Sequence, residues 1–460
     1  MLKKIFYLVL FISTLVSCSS SDEQEYQDLI DLNDRLYAGG ETTIFAENST
    51  AFRNPAANIF GADLLLHLEG DTQFEQAFIT APAITNNGLG SIFNNTSCVS
   101  CHPKDGRAAF PINITNLSGL LLRASILGTD NFGGPNPVPG FGTQIQNQAI
   151  FGTNPEARYQ VSFENKNETL ADGTIITLKK PIFSLVNTYI SFPANGMLSP
   201  RIATPVFGLG LLEAISENSL LELQDINDNN NDGISGKANY VWDPVSQLSK
   251  IGRFGWKANS PTILVQCAGA YVDDMGVTNY VFPNETGFNQ FNGQDGLNDD
   301  PEISDAILNQ VTFYCKTLAV PAPRNINNKS VRRGAKIFDD LECAKCHKPK
   351  QQTGYNVISA ISNQTIYPYT DLLLHDMGED LADNRPDYLA SGNEWKTRPL
   401  WGIGLTQVVN GHTNFLHDGR AKNMTEAILW HGGEAQISKE KFKQLSTTNR
   451  NELLTFLNSL

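Results

Sequence analysis

Apolar residues between Val331 and Phe338 fall at helical spacing and lead straight into Cys343. The chain ends in Arg450–Leu460, where Leu453, Leu454, Phe456 and Leu457 form one stripe of an amphipathic helix. These two helices predict a small domain over residues 326–460, set off by Pro321, Pro323 and the polar run 325–330. Residues 46–325 predict a longer domain, in which GLGSIFNNTSC (88–98) brings a Gly and an Ile-Phe pair to a second cysteine motif. Residues 129–156 are rich in Gly, Pro and Asn and read as loop. Arg158–Pro181 alternates apolar and polar residues around Asp172-Gly173, which signals a β-hairpin inserted into a mostly helical domain. Pro205-Val-Phe-Gly-Leu-Gly-Leu211 matches Pro399-Leu-Trp-Gly-Ile-Gly-Leu405, and Asp274-Met-Gly276 echoes Asp376-Met-Gly378, so the two parts read as a duplication.

The first apolar run is of another kind. Residues 1–17 have a basic start and a short apolar stretch, the form of a secretory signal. It stops at Leu15-Val16-Ser17-Cys18, which looks like a lipobox, so Cys18 is expected to carry a lipid anchor. Residues 18–45 then read as an acidic tether, and Ser19 favours the outer membrane. No internal run reaches the ~18 apolar residues a spanning helix needs, so the expected membrane contact is the lipid alone.

Composition narrows the partners. The 460 residues carry a formal charge of -14 and hold 25 Phe. Losing Lys3 and Lys4 with the signal makes the chain more acidic still. Such a surface repels phosphate backbones, which excludes nucleic acid, and attracts basic partners such as soluble electron carriers.

The seven cysteines carry the chemistry. Apart from Cys18 they include Cys98-Val-Ser-Cys101-His102 and Cys343-Ala-Lys-Cys346-His347, two copies of the CxxCH pattern of covalent haem attachment. Two thiols at that spacing reach both vinyl groups of one porphyrin, and the adjacent His falls under the iron. A thioredoxin-like dithiol has no need of a His placed twice, and zinc would need a second ligand pair at finger spacing. Two covalent haems c are therefore expected. The predicted fold is mainly α, with two cytochrome-c-like haem domains, the first enlarged by loops and the hairpin. Cys267 and Cys315 remain, and read either as a disulfide, the simpler reading in an oxidising compartment, or as two buried thiols.

These motifs, with Phe415-Leu-His-Asp-Gly-Arg420, resemble the bacterial di-haem cytochrome c peroxidase superfamily. SPRIATPVFGLGLLEAI (199–215), GRFGWKA (252–258), DLLLHDMG (371–378) and FLHDGRAKNMTEAILWHGGEA (415–435) are similar, more narrowly, to its di-haem oxidoreductase family. The resemblance runs from about residue 40 to the end. It implies that the C-terminal haem relays electrons and the N-terminal haem binds peroxide, with Trp256 as the bridging aromatic. It also implies a distal ligand beyond the HDG histidine. The helix MTEAILWH ends on His431 before Gly432-Gly433, which makes His347/His431 the expected pair, with Met424 and His375 as runners-up and His412 and His417 as hydrogen-bonding residues.

No His occurs between His102 and His347. The N-terminal iron is thus either open or reached by His67 from upstream. An open site needs an acid-base group, for which Glu213 is the candidate and Glu217 the next. Asp228, Asn230 and Asp232, before Gly233, have the alternating oxygens of a calcium loop but no Glu at position twelve, so the segment reads as a calcium site or a polar turn. The expected function is an oxidoreductase that passes electrons from a basic donor protein through two haems to a peroxide. The alternatives are a pure electron-transfer cytochrome with both irons six-coordinate, a thiol-disulfide enzyme and a surface protein for metal or haem delivery.

Overall fold

A computed structural model describes residues 29–111, 118–285 and 290–460. The signal segment, Cys18 and the start of the tether lie outside these residues. From Ile30 onward the tether segment packs: the Ile30 carbonyl accepts from Arg332 Nε at 2.9 Å, and Leu32 and Ala38 are buried.

The chain is not mainly helical. Helices take 29% of it and strands 20%. The helices are short, and the stretch between residues 120 and 202, of which 129–156 was expected as loop and 158–181 as one hairpin, pairs into ribbons. Strands of six residues or more are β1 (Leu120–Thr129), β2 (Arg158–Thr169), β3 (Ile175–Val186) and β4 (Met197–Ile202). β1 and β4 pair antiparallel from Leu120↔Ile202 to Ser125↔Met197. β2 and β3 form the expected hairpin, in register from Arg158↔Val186 to Thr169↔Ile175. Its tip docks on the far half of the chain. Leu170 and Leu178 are buried in the C-terminal core, Ala171 N–H donates to the Lys443 carbonyl, and Asp172 pairs with Arg450.

Helices of seven residues or more are α1 (Gly61–Glu75), α2 (Ile263–Met275), α3 (Asp305–Thr317), α4 (Lys329–Asp340), α5 (Met424–Trp430), α6 (Gln436–Gln444) and α7 (Thr447–Ser459). Five start on side-chain caps: Thr262, Ser304, Asn423 and Ser446 each accept the N–H three residues on, and Asn328 accepts the N–H of Ser330. The first four caps fall in matching places, because α1 crosses α3 as α4 crosses α7. Gly70 and Gly334 make the two crossings close. A Cβ on either would lie 2.7 Å from the Cβ of the facing aromatic, Tyr314 or Phe456. The short antiparallel bridge Phe254↔Ser260 before α2 likewise matches Phe415↔Ala421 before α5.

Two large apolar cores result, and each draws on both sides of residue 325. The first gathers α1, α2 and α3 but includes Trp401, Leu405 and Val409. The second gathers α4, α5 and α7 but includes Leu170, Ile202 and Trp256. Between them runs a buried ionic network. Lys257 Nζ donates to Asp383 at 2.8 Å and to the Arg385 and Ser391 carbonyls, while Arg201 pairs with Asp387 at 3.2 Å. Charges so deep persist only when paired and hydrogen-bonded.

Candidate haem-binding site

Each CxxCH sits on one tight helical turn. Ser97 caps the first by accepting from Ser100 N–H. The His102 N–H bonds the Cys98 carbonyl at 2.9 Å, and His347 bonds Cys343 in the same way at 3.0 Å. Thiols and imidazole are thereby held in one cluster at each motif.

The imidazoles share a second feature. Nδ1 of His102 lies 2.6 Å from the Thr204 carbonyl, that of His347 3.0 Å from Tyr369, and that of His431 2.7 Å from Ala427. A carbonyl only accepts, so each Nδ1 carries the proton and each Nε2 keeps a lone pair, as in a metal-ligating imidazole. Burial lowers the pKa of all three, to about 4 for His102 and His347, so the rings stay neutral. Phe74 flanks His102 at 6.2 Å and 52°, and Phe338 flanks His347 at 6.4 Å and 55°.

A cavity of about 250 Å³ opens at the second motif. Cys343, Cys346 and His347 line it, and so do Met424, Ile428 and His431 of α5. Trp256, Trp395 and His417 line it too. Trp395 stacks on His417 at 4.0 Å and 11°, and Trp256 meets His417 edge-on at 6.4 Å. Trp256 Nε1–H donates to the Ile202 carbonyl at 2.8 Å. Arg107 and Arg398 lie over the Trp256 ring at 5.5 and 5.1 Å.

Those two guanidiniums and Lys396 set the electrostatics. Among the described residues no carboxylate makes an ion pair with any of the three. Lys396 Nζ reaches only the Arg253 carbonyl, at 2.5 Å. Burial pushes Arg107 down to about 9, Arg398 to about 10 and Lys396 well below its ordinary value. Buried cations without counter-charge call for an anion in the cavity they line.

The other histidines are engaged otherwise. His375 Nε2 lies 2.9 Å from Asp371 and Nδ1 2.7 Å from Glu434. Burial opposes its charge, but these bonds outweigh it and hold the ring well above its ordinary pKa. Cys346, Asp371 and His375 bring three donors within 4.8 Å, yet both ring nitrogens already face carboxylates. His412 Nε2 bonds the Arg107 carbonyl at 3.0 Å. His67 is 1% exposed, its Nδ1 2.8 Å from Thr317 Oγ1, and Tyr314 and Phe74 continue the line of rings from it towards His102.

Glu213 is tied up by two partners. One oxygen accepts the Ile263 N–H at 2.6 Å, and the other pairs with Lys316 at 2.6 Å. Glu217 is exposed at the start of a short helix. Two buried acids lie beside the first motif, Asp105, raised to about 7, and Asp274, neither of them a candidate in the sequence. Burial raises Asp274 to about 6 against Arg123 and the bond from Gln144, at 2.8 Å. Its backbone carbonyl accepts from Asn94 and Asn95, just before the motif. The one sequence signal was the Asp-Met-Gly echo.

The sulfurs of Cys267 and Cys315 are not bonded to each other in the structure. In the loop at 225–234, Asp225 accepts from Asn229 and Asn230, Asp228 from Asp232 and Gly233, and Asp232 pairs with Lys345 at 3.3 Å. These oxygens serve the turn's own amides.

A search of curated proteins found no match. The family described as "Di-haem oxidoreductase, putative peroxidase" matches residues 33–460. With two CxxCH turns, neutral imidazoles and a cavity ringed by unpaired cations already in place, that match assigns the chain to the di-haem oxidoreductase family.

Proposed function

We propose that the protein attaches one haem at Cys98 and Cys101 and a second at Cys343 and Cys346, and reduces a peroxide at the first. The residues suit the group. Paired thiols precede a neutral imidazole at both motifs, and at the second the cavity walls are apolar and Arg107, Lys396 and Arg398 are positioned to take propionate carboxylates. When bound, haem with an open sixth position supplies the iron that binds and reduces peroxide.

The observation that carries this reading is an asymmetry between the halves. α2 and α5 begin on Thr262 and Asn423. Counted from those caps, the place of His431 is taken in the first half by Ala270. His347 and His431 thus form a ligand pair, while His102 has no counterpart on α2. His67 sits in the α1–α3 packing, at the place of Val331 in the second half. Asp274 is our acid-base residue: as carboxylate it takes a proton from peroxide, and as acid it returns one to the departing oxygen. Trp256, held by Ile202 and gripped by two guanidiniums, keeps the wall between the motifs rigid and dry.

The leader and Cys18 favour an exported lipoprotein of the outer membrane, and the acidic surface favours a basic electron donor. The test is low-temperature electron paramagnetic resonance of the haem-loaded ferric protein, truncated after Cys18, alongside peroxide turnover. The expected result is about half the iron high-spin, with turnover. All-low-spin iron without turnover would instead make the protein an electron carrier.

A further inference from the structure

Cys267 lies on α2 and Cys315 on α3, two helices that pack against each other in the first core. Both side chains pack in that core, and Cys267 is the first influence on the Cys315 thiol. Registering the halves on their helix caps places them. Cys267 stands five residues after Thr262, as Ile428 stands five after Asn423. Cys315 stands eleven after Ser304, as Leu457 stands eleven after Ser446. Ile428 and Leu457 both line the cavity that faces His347. The matching flank of Phe74 on His102 and Phe338 on His347 extends this correspondence to the two motifs. The thiols therefore occupy the same two wall positions of the first haem site, and Cys267 lies one turn before Ala270.

We infer that Cys267 and Cys315 are a redox-active dithiol in the wall of the N-terminal haem pocket, oxidised to a disulfide when peroxide is reduced there without an outside donor. This rests on the peroxide reading above. The stoichiometry closes. Each thiol loses its hydrogen and one S–S bond forms. The two protons and two electrons released go to one hydrogen peroxide, whose O–O bond breaks to give two waters. The oxidant is the peroxide itself.

The surroundings favour this role over iron ligation. A thiolate ligand to iron would need easy deprotonation. Contact with Cys267, together with burial, holds the Cys315 thiol well above its ordinary pKa, so proton and electron leave together. The two sulfurs are unbonded, which leaves both thiols available for oxidation. An internal dithiol adjoining the site supplies the two electrons that one peroxide needs.

The experiment uses haem-loaded protein truncated after Cys18, in which Cys267 and Cys315 are the only thiols not joined to haem. It is treated with a thiol reductant, freed of it, and given one equivalent of hydrogen peroxide with no donor. Peroxide consumption, intact mass and alkylation after denaturation are then read together. We expect a loss of two hydrogens and of both alkylatable thiols, in step with the peroxide consumed, and a Cys267–Cys315 peptide in the digest. Cys315→Ser should consume one peroxide fewer per molecule at unchanged haem content. Peroxide consumed while both thiols stay alkylatable overturns the dithiol and leaves the peroxide reading intact. So does a pair that is isolated as a disulfide and resists the reductant. No consumption at all overturns both.

Discussion

The ring of Phe207 closes on the α-carbon of Gly402, where an added Cβ would lie 2.5 Å from the ring Cζ. The contact is reciprocal, since a Cβ on Gly208 would lie 2.6 Å from Cζ2 of Trp401. The two copies of the P-x-[FW]-G-[LI]-G-L segment thus meet each other, and both glycines have φ of +70°. Gly402→Ala should meet both left-handed strain and overpacking, for a loss of about 2–4 kcal/mol in denaturant unfolding of the haem-loaded protein. A loss under ~1 kcal/mol would mean that the halves are not seated on each other here.

His431→Met should raise the potential of one haem and leave the other unmoved, because Met/His ligation favours the reduced iron more than His/His does. Spectroelectrochemical titration reads this directly. If the two potentials move together, or neither moves, His431 is not the ligand.

Arg398→Met removes a buried positive charge over Trp256. At an effective dielectric of about 20, a charge about 10 Å from a haem would act on it with roughly 1–2 kcal/mol. The oxidised state should gain, and the potential should fall by tens of millivolts. An unchanged potential would remove this guanidinium from the haem's electrostatics.

Asp274 is raised to about 6, with burial as the first cause. A base must be ionised to act, so peroxide reduction should climb as pH rises through about 6. Asp274→Asn should lose that limb and about 10²–10⁴-fold in rate. A variant that keeps the wild-type profile between pH 5 and 8 would return the role to another group.

Glu156 is fully buried and raised to about 8, burial prevailing over its bonds from Gln146 and Gln290. The folded state therefore holds a proton that the unfolded chain has released by about pH 4.5. Stability should fall as pH rises from 4.5 to 8, by up to about 1.4 kcal/mol per pH unit. Glu156→Gln should flatten that slope in chemical denaturation at successive pH values. A wild-type slope of the opposite sign would contradict the burial argument.

Some of this was legible in the residues alone. Each CxxCH motif is complete within five residues, so no fold was needed to find it. The helices that end near Phe338 and Leu457, and the hairpin about Asp172-Gly173, followed from local periodicity. The hairpin's destination did not, because Leu170 and Leu178 look the same whichever core receives them. Nor did the strands: β1 and β4 pair across more than seventy residues, which a local pattern cannot reveal.

The site was read in part for the same reason. His431 announced itself as the end of a helix beyond a motif. Glu213 looked like a free acid in a glycine-rich segment, but the N–H of Ile263 and the ammonium of Lys316 claim it. Asp274, Arg107, Lys396 and Arg398 are ordinary charged residues until burial strips them of water, and burial is a property of the assembled cores. What the sequence by itself determined is the pair of CxxCH motifs and the repeated segments that accompany them. Which cations stand unpaired, which acid is raised and where two thiols meet were decided only by tertiary structure, because each depends on neighbours brought from distant parts of the chain.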